Sequence, residues 1–263
     1  MKLNFKKLAV LALALYLPLQ SMAWGQLGHR IVGQIADCHI RNKTRKEIRK
    51  ILGNESIAMA SNWADFIKSD PAYKYLDSWH YVNLPKGLDA DGFQLFLKQD
   101  TAANAYNRIQ FLTSELKNKQ LPHDKKVMYL KLLIHFVGDI HQPMHTGRRE
   151  DLGGNAIKVQ WFGQSSNLHR VWDSDLIGSE NLSFTEYARA INFATKAQLF
   201  TLQRQPLDHW VYDSYKIAEN LYTVTKPESR LSYRYIYDHI ATANQQLLRG
   251  GIHLAGLLDE IFS

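Results

Sequence analysis

Two histidine–aspartate pairs with the same spacing constrain this chain more than any other feature. His135 and Asp139 lie in the segment HFVGDIHQPMH. His169 and Asp173 lie in the later segment NLHRVWD. In each pair the residues are four positions apart, which places both side chains on one face of a helix. Imidazole and carboxylate together suit zinc and its neighbours in the transition series. The repeated pair, with His145 between its two copies, therefore predicts a metal centre.

Residues 1–23 have the parts of a secretory signal peptide. A lysine-rich start precedes an apolar run over residues 8–17, and Ser21-Met22-Ala23 is a small-x-small cleavage site. The run is too short to span a bilayer permanently, which argues against an uncleaved membrane anchor. We expect cleavage to leave residues 24–263 as one mature domain. Its expected location is the periplasm or the external medium.

The composition bounds the partners and the redox chemistry. The full chain carries a net charge of +7, which is compatible with a polyanionic partner. The single cysteine, Cys38, excludes an intramolecular disulfide. Cys38 continues the apolar helical pattern of Ile31 and Ile35, so we expect it to be buried. Stability must then come from core packing and from bound metal.

Helical periodicity dominates the remaining sequence and predicts a mainly α fold with a small β-hairpin. The expected helices cover residues 26–40, 43–52, 56–69, 91–117, 125–139, from 185 onward, 207–223 and 230–262. The alternating residues 155–162 predict a strand that turns at Gly163. Gly250-Gly251 predicts a bend or break in the last helix.

Three shorter motifs upstream supply further candidate ligands. Trp24, the expected mature N-terminus, could chelate a metal through its free amine and its carbonyl oxygen, with His29 beside it. Asp65 lies in NWAD, and His80 lies in SWHY. Taken singly, such residues are more often helix caps or partly buried histidines. Their interpretation as ligands depends on their order along the chain.

In the order of its motifs, the chain resembles the zinc-dependent type I nucleases. These are exported enzymes of fungi, plants and bacteria that prefer single-stranded nucleic acid. The motifs are WGxxGH, WAD, WHY, HFxGDxxQPxH, GGN and NLHxxWD, and they run from Trp24 to Asp173. The helical remainder matches in character. The resemblance implies a helical fold with a cluster of three zinc ions in a cleft.

The resemblance also implies which residues hold each zinc. The ligands are imidazoles, carboxylates and the N-terminal group, divided as Asp65, His80, His135 and Asp139 for the first zinc, Trp24, His29 and Asp139 for the second, and His145, His169 and Asp173 for the third. Asp139 would bridge the first two ions. Asp65 and Asp139 would thereby belong to the catalytic apparatus.

The implied reaction is metal-assisted hydrolysis of phosphodiester bonds in single-stranded DNA and RNA. The products would carry 5′-phosphate and include mononucleotides, and 3′-nucleotidase activity is a further possibility. Lys68 would stabilise charge at the scissile phosphate, or it is an ordinary surface lysine. We expect the enzyme to act as a monomer.

Three further residues are candidates for binding the substrate. Tyr81 would stack on a base, or it packs in the core. Asn83 stands where fungal members have an aspartate that bonds the base. Asn155 would contact the substrate, or it shapes the turn after the double glycine.

Some residues have no counterpart in the family's motifs, and two other functions are alternatives. His141 is not a family ligand position, so we interpret it as supporting the ligands or the structure. The histidines without a surrounding motif, expected not to be ligands, are His39, His123, His209, His239 and His253. A bacterial zinc phospholipase C is one alternative, but its last motif is His-x-x-x-Glu, whereas Asp173 ends it here. A non-catalytic envelope protein that binds metal or polyanions is another.

Overall fold

The computed structural model describes residues 24–263, so the predicted signal peptide lies outside the described residues. The helices, in chain order, are α1 (Gln26–His39), α2 (Asn42–Leu52), α3 (Ile57–Ala60), α4 (Trp63–Ile67), α5 (Ala90–Gln99), α6 (Ala105–Lys117), α7 (His123–Asp139), α8 (Leu168–Arg170), α9 (Leu176–Gly178), α10 (Phe184–Ile191), α11 (Lys196–Leu202), α12 (Leu207–Val224) and α13 (Tyr233–Phe262). Short 3₁₀ helices cover Pro71–His80, Pro143–Thr146 and Arg149–Asp151, and Val171–Asp175 is a π-helical turn. The mainly α class predicted from periodicity is confirmed.

Helix α7 lies at the centre of the fold. From Leu132 to Asp139 every residue is buried. A helix that is covered on all sides must be apolar all round or carry polar groups that find partners. His135 and Asp139 are the polar exceptions in this stretch. The centre of the protein therefore holds the histidine–aspartate pair that the sequence singled out.

Helix α13 packs along α1, and its paired glycines permit the contact. A Cβ atom on Gly251 would overlap the side chain of Ile35. A Cβ atom on Gly250 would lie 3.3 Å from Val32 Cγ2. The helix is continuous from Tyr233 to Phe262, so the predicted break at these glycines is wrong. Close packing against α1 uses the missing side chains instead.

Two predicted helices are each divided in the structure. The helix expected over residues 91–117 is α5 and α6, because Asn104 forms a capping box with Asn107 that starts α6. The helix expected over residues 56–69 is α3 and α4. Ser56 caps its start as predicted, by accepting a hydrogen bond from the Met59 amide. The prediction that Cys38 is buried is also wrong, since its side chain is exposed.

A small sheet extends from the helical body. Strands β1 (Lys158–Trp161) and β2 (Gln164–Asn167) pair antiparallel, which confirms the predicted hairpin. A third strand that periodicity did not predict, β3 (Arg230–Leu231), pairs parallel with β1. The hairpin leads directly from the double glycine at 153–154 to α8. Among the described residues, no helix combines the length and the apolarity that crossing a bilayer requires.

Candidate metal centre

Separate elements bring imidazole and carboxylate groups into one buried region. The contributing elements are α1, α4, the 3₁₀ helix Pro71–His80, α7, the 3₁₀ helix Pro143–Thr146 and the turn over residues 168–175. The side chains they deliver are His29, Asp65, His80, His135, Asp139, His145, His169 and Asp173. Each of these side chains is at most 6% exposed.

Asp139 lies at the centre of this cluster. Its Oδ2 atom lies 2.9 Å from His80 Nδ1 and 3.2 Å from His135 Nε2. Its Oδ1 atom lies 3.3 Å from His29 Nε2. The two oxygens of one carboxylate therefore face different imidazoles, which is the arrangement that a bridging ligand needs.

Asp65 approaches the same imidazoles from α4. Its Oδ1 atom lies 3.7 Å from His135 Nε2 and 3.9 Å from His80 Nδ1. Those two ring nitrogens lie 3.0 Å from each other. Two nitrogens and two carboxylate oxygens thus converge, as in the donor sets that hold zinc tetrahedrally.

His145, His169 and Asp173 form an adjoining group. Asp173 Oδ2 lies 3.2 Å from His169 Nε2, and Asp173 Oδ1 lies 3.7 Å from His145 Nε2. His169 and Asp173, which are four residues apart, stay in contact although the chain between them passes from an α turn to a π turn. His145 Nδ1 also lies 3.7 Å from Asp139 Oδ1, so the two groups are neighbours.

Several buried polar atoms of these groups have no hydrogen-bond partner, which indicates whether the groups suit a metal. Both ring nitrogens of His29, Nε2 of His145 and of His169, and Oδ1 of Asp139 make no hydrogen bond. Leaving a buried polar atom without a partner costs about 1–3 kcal/mol. Three groups of side chains hold their candidate ligand atoms within 4.8 Å of one another, namely His29, Asp65 and His135; His80, His135 and Asp139; and His145, His169 and Asp173. These donors fit divalent metals of the zinc type.

Backbone carbonyls fix the orientation of three of the imidazoles. Each ring donates from Nδ1 to a main-chain oxygen, and the pairs are His135 with Ser61 (2.6 Å), His145 with His80 (2.6 Å) and His169 with Gly153 (2.7 Å). Donation from Nδ1 leaves the lone pair on Nε2, which faces the cluster. Metal-binding histidines are commonly oriented in this way.

One glycine makes room for an imidazole of the cluster, and a second orients one. A Cβ atom on Gly138 would lie 2.7 Å from His29 Nδ1. Gly153 has φ of 61°, a left-handed conformation that suits glycine, and its carbonyl is the acceptor for His169. The GGN motif is thus tied to the position of His169.

Sequence reasoning missed one buried residue that supports the site. Gln142 is fully buried, and its amide nitrogen donates to Asp173 Oδ1. Its Oε1 atom accepts from the Met144 amide at 2.5 Å. Gln142 therefore joins the Pro143–Thr146 helix to Asp173. Its place inside the densest histidine motif was the available signal.

Burial shifts the acid–base equilibria of the cluster. Desolvation places the pKa of His29, His80 and His145 well below the ordinary histidine value. Burial also raises the pKa of Asp139 to about 6. Burial also acts to lower the pKa of His135, but the carboxylates of Asp139 and Asp65 together outweigh it, and the pKa of His135 is raised. Neutral imidazole is the form that binds metal.

Lys68 lies against the cluster. Its Nζ atom lies 2.6 Å from Asp65 Oδ1, and its side chain is 19% exposed. Of the two interpretations of Lys68, the solvated surface lysine is disfavoured by this contact. The cation lies where charge on a bound anion could be neutralised, beside a carboxylate of the cluster.

Tyr81 and Asn83 lie on the extended segment that follows His80. The amide of Val82 donates to the His145 carbonyl at 2.8 Å, and the amide of Leu84 donates to the Gly147 carbonyl at 3.1 Å. These bonds hold the segment beside the group formed by His145, His169 and Asp173. The side chain of Tyr81 is 38% exposed and that of Asn83 is half-buried. The core alternative for Tyr81 does not hold.

Asn155 and Trp24 complete the candidate residues. The side-chain amide of Asn155 donates to the Leu152 carbonyl at 2.9 Å, within the turn after the double glycine. The Trp24 ring is fully buried. The amide of Gly25 donates to the Asp173 carbonyl at 2.8 Å, so the beginning of the described chain lies beside the third group.

A helical fold around a buried cluster of imidazoles and carboxylates is the architecture of a protein that can hold metal ions. The sequence model of the family described as S1/P1 Nuclease matches residues 24–263. The chain therefore belongs to the S1/P1 nuclease family. The predicted family and the predicted class of enzyme, a nuclease, are confirmed.

Individual relatives agree with this membership. Endonuclease 3 of Arabidopsis thaliana is 29% identical over 92% of this chain and 90% of its own length. Nuclease S1 of Aspergillus oryzae is 32% identical over 64% of this chain and 60% of its own length. Among solved structures, an alpha toxin from Clostridium absonum has a TM-score of 0.46 and 15% identity, covering 92% of this chain and 66% of that chain.

Proposed function

We propose that the mature chain, residues 24–263, is an exported, monomeric, zinc-dependent endonuclease. It would hydrolyse single-stranded DNA and RNA in the periplasm or the medium and leave 5′-phosphate products. The observation that carries the proposal is the sharing of Asp139 between two sets of buried imidazoles. A carboxylate with one oxygen towards each set suits two adjacent metal ions.

Three zinc ions would be held by the side chains already described together with the Trp24 amine and carbonyl oxygen. Asp65, His80, His135 and Asp139 would hold the first. Trp24, His29 and Asp139 would hold the second. His145, His169 and Asp173 would hold the third. When bound, the zinc ions would supply Lewis-acid chemistry, which neutralises phosphate charge and lowers the pKa of water.

The chain's own residues would position the substrate and balance its charge. Lys68, held by Asp65, would lie beside the scissile phosphate and stabilise the negative charge that develops during hydrolysis. The side chains of the cluster are buried, and the low local dielectric of a buried region strengthens such charge interactions.

An exposed ring beside the cluster supports the preference for single strands. Tyr81 follows the ligand candidate His80 directly, and its side chain is accessible. An aromatic ring can stack only on a base that has left its pair, and such stacking tolerates any sequence. Asn83 and Asn155 would add polar contacts to the nucleotide from the two segments that flank this site.

Export would complete the site. Cleavage after Ala23 would create the free amine of Trp24, and the Gly25–Asp173 hydrogen bond already holds this end of the chain at the cluster. A longer N-terminus would have no such amine to offer.

The proposal is tested by metal analysis of the mature protein together with product mapping on denatured and duplex DNA. We expect three zinc ions per chain, faster cleavage of the denatured DNA, and 5′-phosphate ends. Equal rates on both forms of DNA would contradict the single-strand preference. Hydrolysis of phosphatidylcholine without cleavage of denatured DNA would replace the proposal with a phospholipase.

A further inference from the structure

Helix α12 places a row of hydrogen-bonding side chains against the two segments that follow His80 and His145. The row, which we call the α12 row, consists of Tyr215, Glu219 and Tyr222. Spacings of four and three residues place these side chains on one face of the helix. The first segment covers residues 81–88, and the second covers residues 147–155. Both segments carry residues that we propose to bind the substrate.

Tyr215 holds the end of the first segment that is farther from His80. Its hydroxyl donates to the Pro85 carbonyl at 2.9 Å and accepts from the Leu88 amide at 2.7 Å. Burial raises the pKa of Tyr215, so the hydroxyl keeps the proton that this donation needs. One side chain thereby fixes both sides of the turn from Pro85 to Leu88.

Tyr222 holds the second segment. Its hydroxyl accepts from the Arg148 amide at 3.1 Å and donates to Asp151 Oδ1 at 3.0 Å. The same oxygen of Asp151 accepts from the Gly154 amide at 2.7 Å. This amide belongs to the double glycine whose first carbonyl orients His169. The turn that carries the double glycine is therefore bonded to α12.

Glu219 lies between the two tyrosines and divides its carboxylate between the segments. Its Oε2 atom accepts from the Gly87 amide at 3.0 Å. Its Oε1 atom accepts from Arg148 Nε at 3.0 Å and from Arg148 Nη2 at 2.8 Å. The side chains of Glu219 and Arg148 are 19% and 17% exposed, so salt screens this ion pair less than a pair at the surface. One carboxylate thus joins the first segment to the second.

The two segments depend on such bonds because little of their backbone is regular. Residues 81–88 contain no helix or strand, and residues 147–155 contain the short 3₁₀ helix Arg149–Asp151. Irregular segments on a rigid scaffold take their conformation from the bonds that tie them to it. A shift of either segment would move Tyr81 or Asn155 relative to the metal centre.

We propose that Glu219, the central member of the α12 row, is a positioning residue that holds the two substrate-binding segments in register with each other. This inference rests on the proposed function. Glu219 acts through Gly87 and Arg148 rather than by contact with the substrate. A nucleotide then meets Tyr81 and Asn155 already in place, so its binding does not have to order them. Loss of the carboxylate weakens substrate binding and leaves the metal ligands in place.

The first test measures kcat, KM and zinc content of the mature enzyme, with a single-stranded oligonucleotide as substrate. Glu219→Ala releases both segments, so KM should rise roughly tenfold while kcat and zinc content keep their wild-type values. Glu219→Gln keeps an acceptor oxygen for the Gly87 amide but loses the charge that pairs with Arg148. Its KM should therefore rise only about threefold. If Glu219→Ala does not fold, the glutamine variant carries the same comparison.

Asp213 supplies a matched control on the same helix. Its Oδ2 atom lies 3.0 Å from Arg249 Nη1, an ion pair that joins α12 to α13 instead of to either segment. Asp213→Ala should lower the free energy of unfolding, as Glu219→Ala does, but it should leave KM unchanged. An equal rise in KM in both variants would assign the effect to lost stability and contradict the positioning role.

Hydrogen exchange tests the inference without any substrate. In Glu219→Ala, peptides that cover residues 81–88 and 147–155 should both exchange faster than in the wild type. Peptides of α7 should exchange at the wild-type rate, because the metal ligands stay in place. Faster exchange in only one of the two segments would show that Glu219 does not join them.

The outcomes distinguish this inference from the proposed function. If the wild type cleaves no nucleic acid, the proposed function fails, and the exchange experiment still decides whether Glu219 joins the segments. If the wild type cleaves the oligonucleotide and Glu219→Ala does so with the same KM, Glu219 is not a positioning residue. A fall in KM would show that Glu219 withholds Arg148 from the substrate, which would also overturn the inference.

Discussion

Two groups of buried histidines lie near each other in this protein, and their hydrogen bonding differs. In the metal centre, Nε2 of His145 and of His169 has no partner. In the pair formed by His141 and His253, every ring nitrogen has one. His141 Nδ1 donates to the Val137 carbonyl at 2.7 Å, the two rings meet at 2.6 Å, and His253 Nε2 lies 3.0 Å from Gln205 Oε1.

The difference shows how burial alone fails to identify a ligand. Both groups are excluded from solvent, and burial lowers the pKa of His141 to about 4 just as it lowers that of His145. Only the metal centre combines unpartnered nitrogens with carboxylates at 3–4 Å. Protein groups bond every ring nitrogen of the His141–His253 pair, so we interpret the pair as structural. A structural role is one of the two that the sequence analysis gave for His141.

Removing the shared carboxylate, that of Asp139, is the strongest test of the difference between the two histidine groups. Asp139→Ala should lose two of the three proposed zinc ions and lower activity by about a thousandfold or more, because each metal contributes several kcal/mol to catalysis. Metal analysis of the purified variant measures the first effect. His253→Gln, in the structural pair, should retain all the metal. Full metal content in the Asp139 variant would remove the bridge from the proposal.

A retained leader tests the N-terminal ligand. A form that keeps even a few residues before Trp24 lacks the amine at that position, so we expect activity about a hundredfold lower, in the upper part of the range seen when a ligand's support is lost. Edman sequencing and nuclease assays on the same preparation check this. Full activity with an extended N-terminus would contradict the role of Trp24.

Two buried glutamines give a matched pair of substitutions. Gln142→Ala, which removes the donor to Asp173, should weaken zinc binding about tenfold or more. Gln246→Ala removes donation to the His141 carbonyl, a bond of 2.9 Å on the structural side. It should lower the free energy of unfolding by about 1–3 kcal/mol without changing zinc affinity. Competition with a chromogenic chelator and chemical denaturation separate the two effects.

The structural pair should also make stability depend on pH. The pKa of His253 in the folded protein is lowered by burial, so its neutral form is favoured by folding. Its contribution is complete above the unfolded value of about 6.5 and is lost as pH falls through the folded pKa. His253→Gln should flatten the fall in unfolding free energy below pH 6.5 by up to about 1.4 kcal/mol per pH unit. Parallel curves for both proteins would contradict this.

The sequence predicted the site better than the elements around it. Every candidate metal ligand with a titratable side chain lies in the cluster. Helical spacing predicted the two histidine–aspartate pairs, whereas the family resemblance supplied the ligand role of His29, Asp65 and His80. The division of residues 91–117 depends on the Asn104 cap, a local signal that periodicity overlooks. The continuity of α13 through Gly250-Gly251 depends on Ile35, far away in the chain, and no local pattern contains that contact.

The contact between Gly25 and Asp173 would order the events of the proposed export. It joins the first turn of the described chain to a residue in the second half of the sequence. An exported chain emerges from the translocation channel with its N-terminus first, so this end must wait until Asp173 has emerged and its turn has formed. Contacts between distant parts of a chain form late. The proposed nuclease would therefore become competent only when most of it is already outside the compartment that holds the genome.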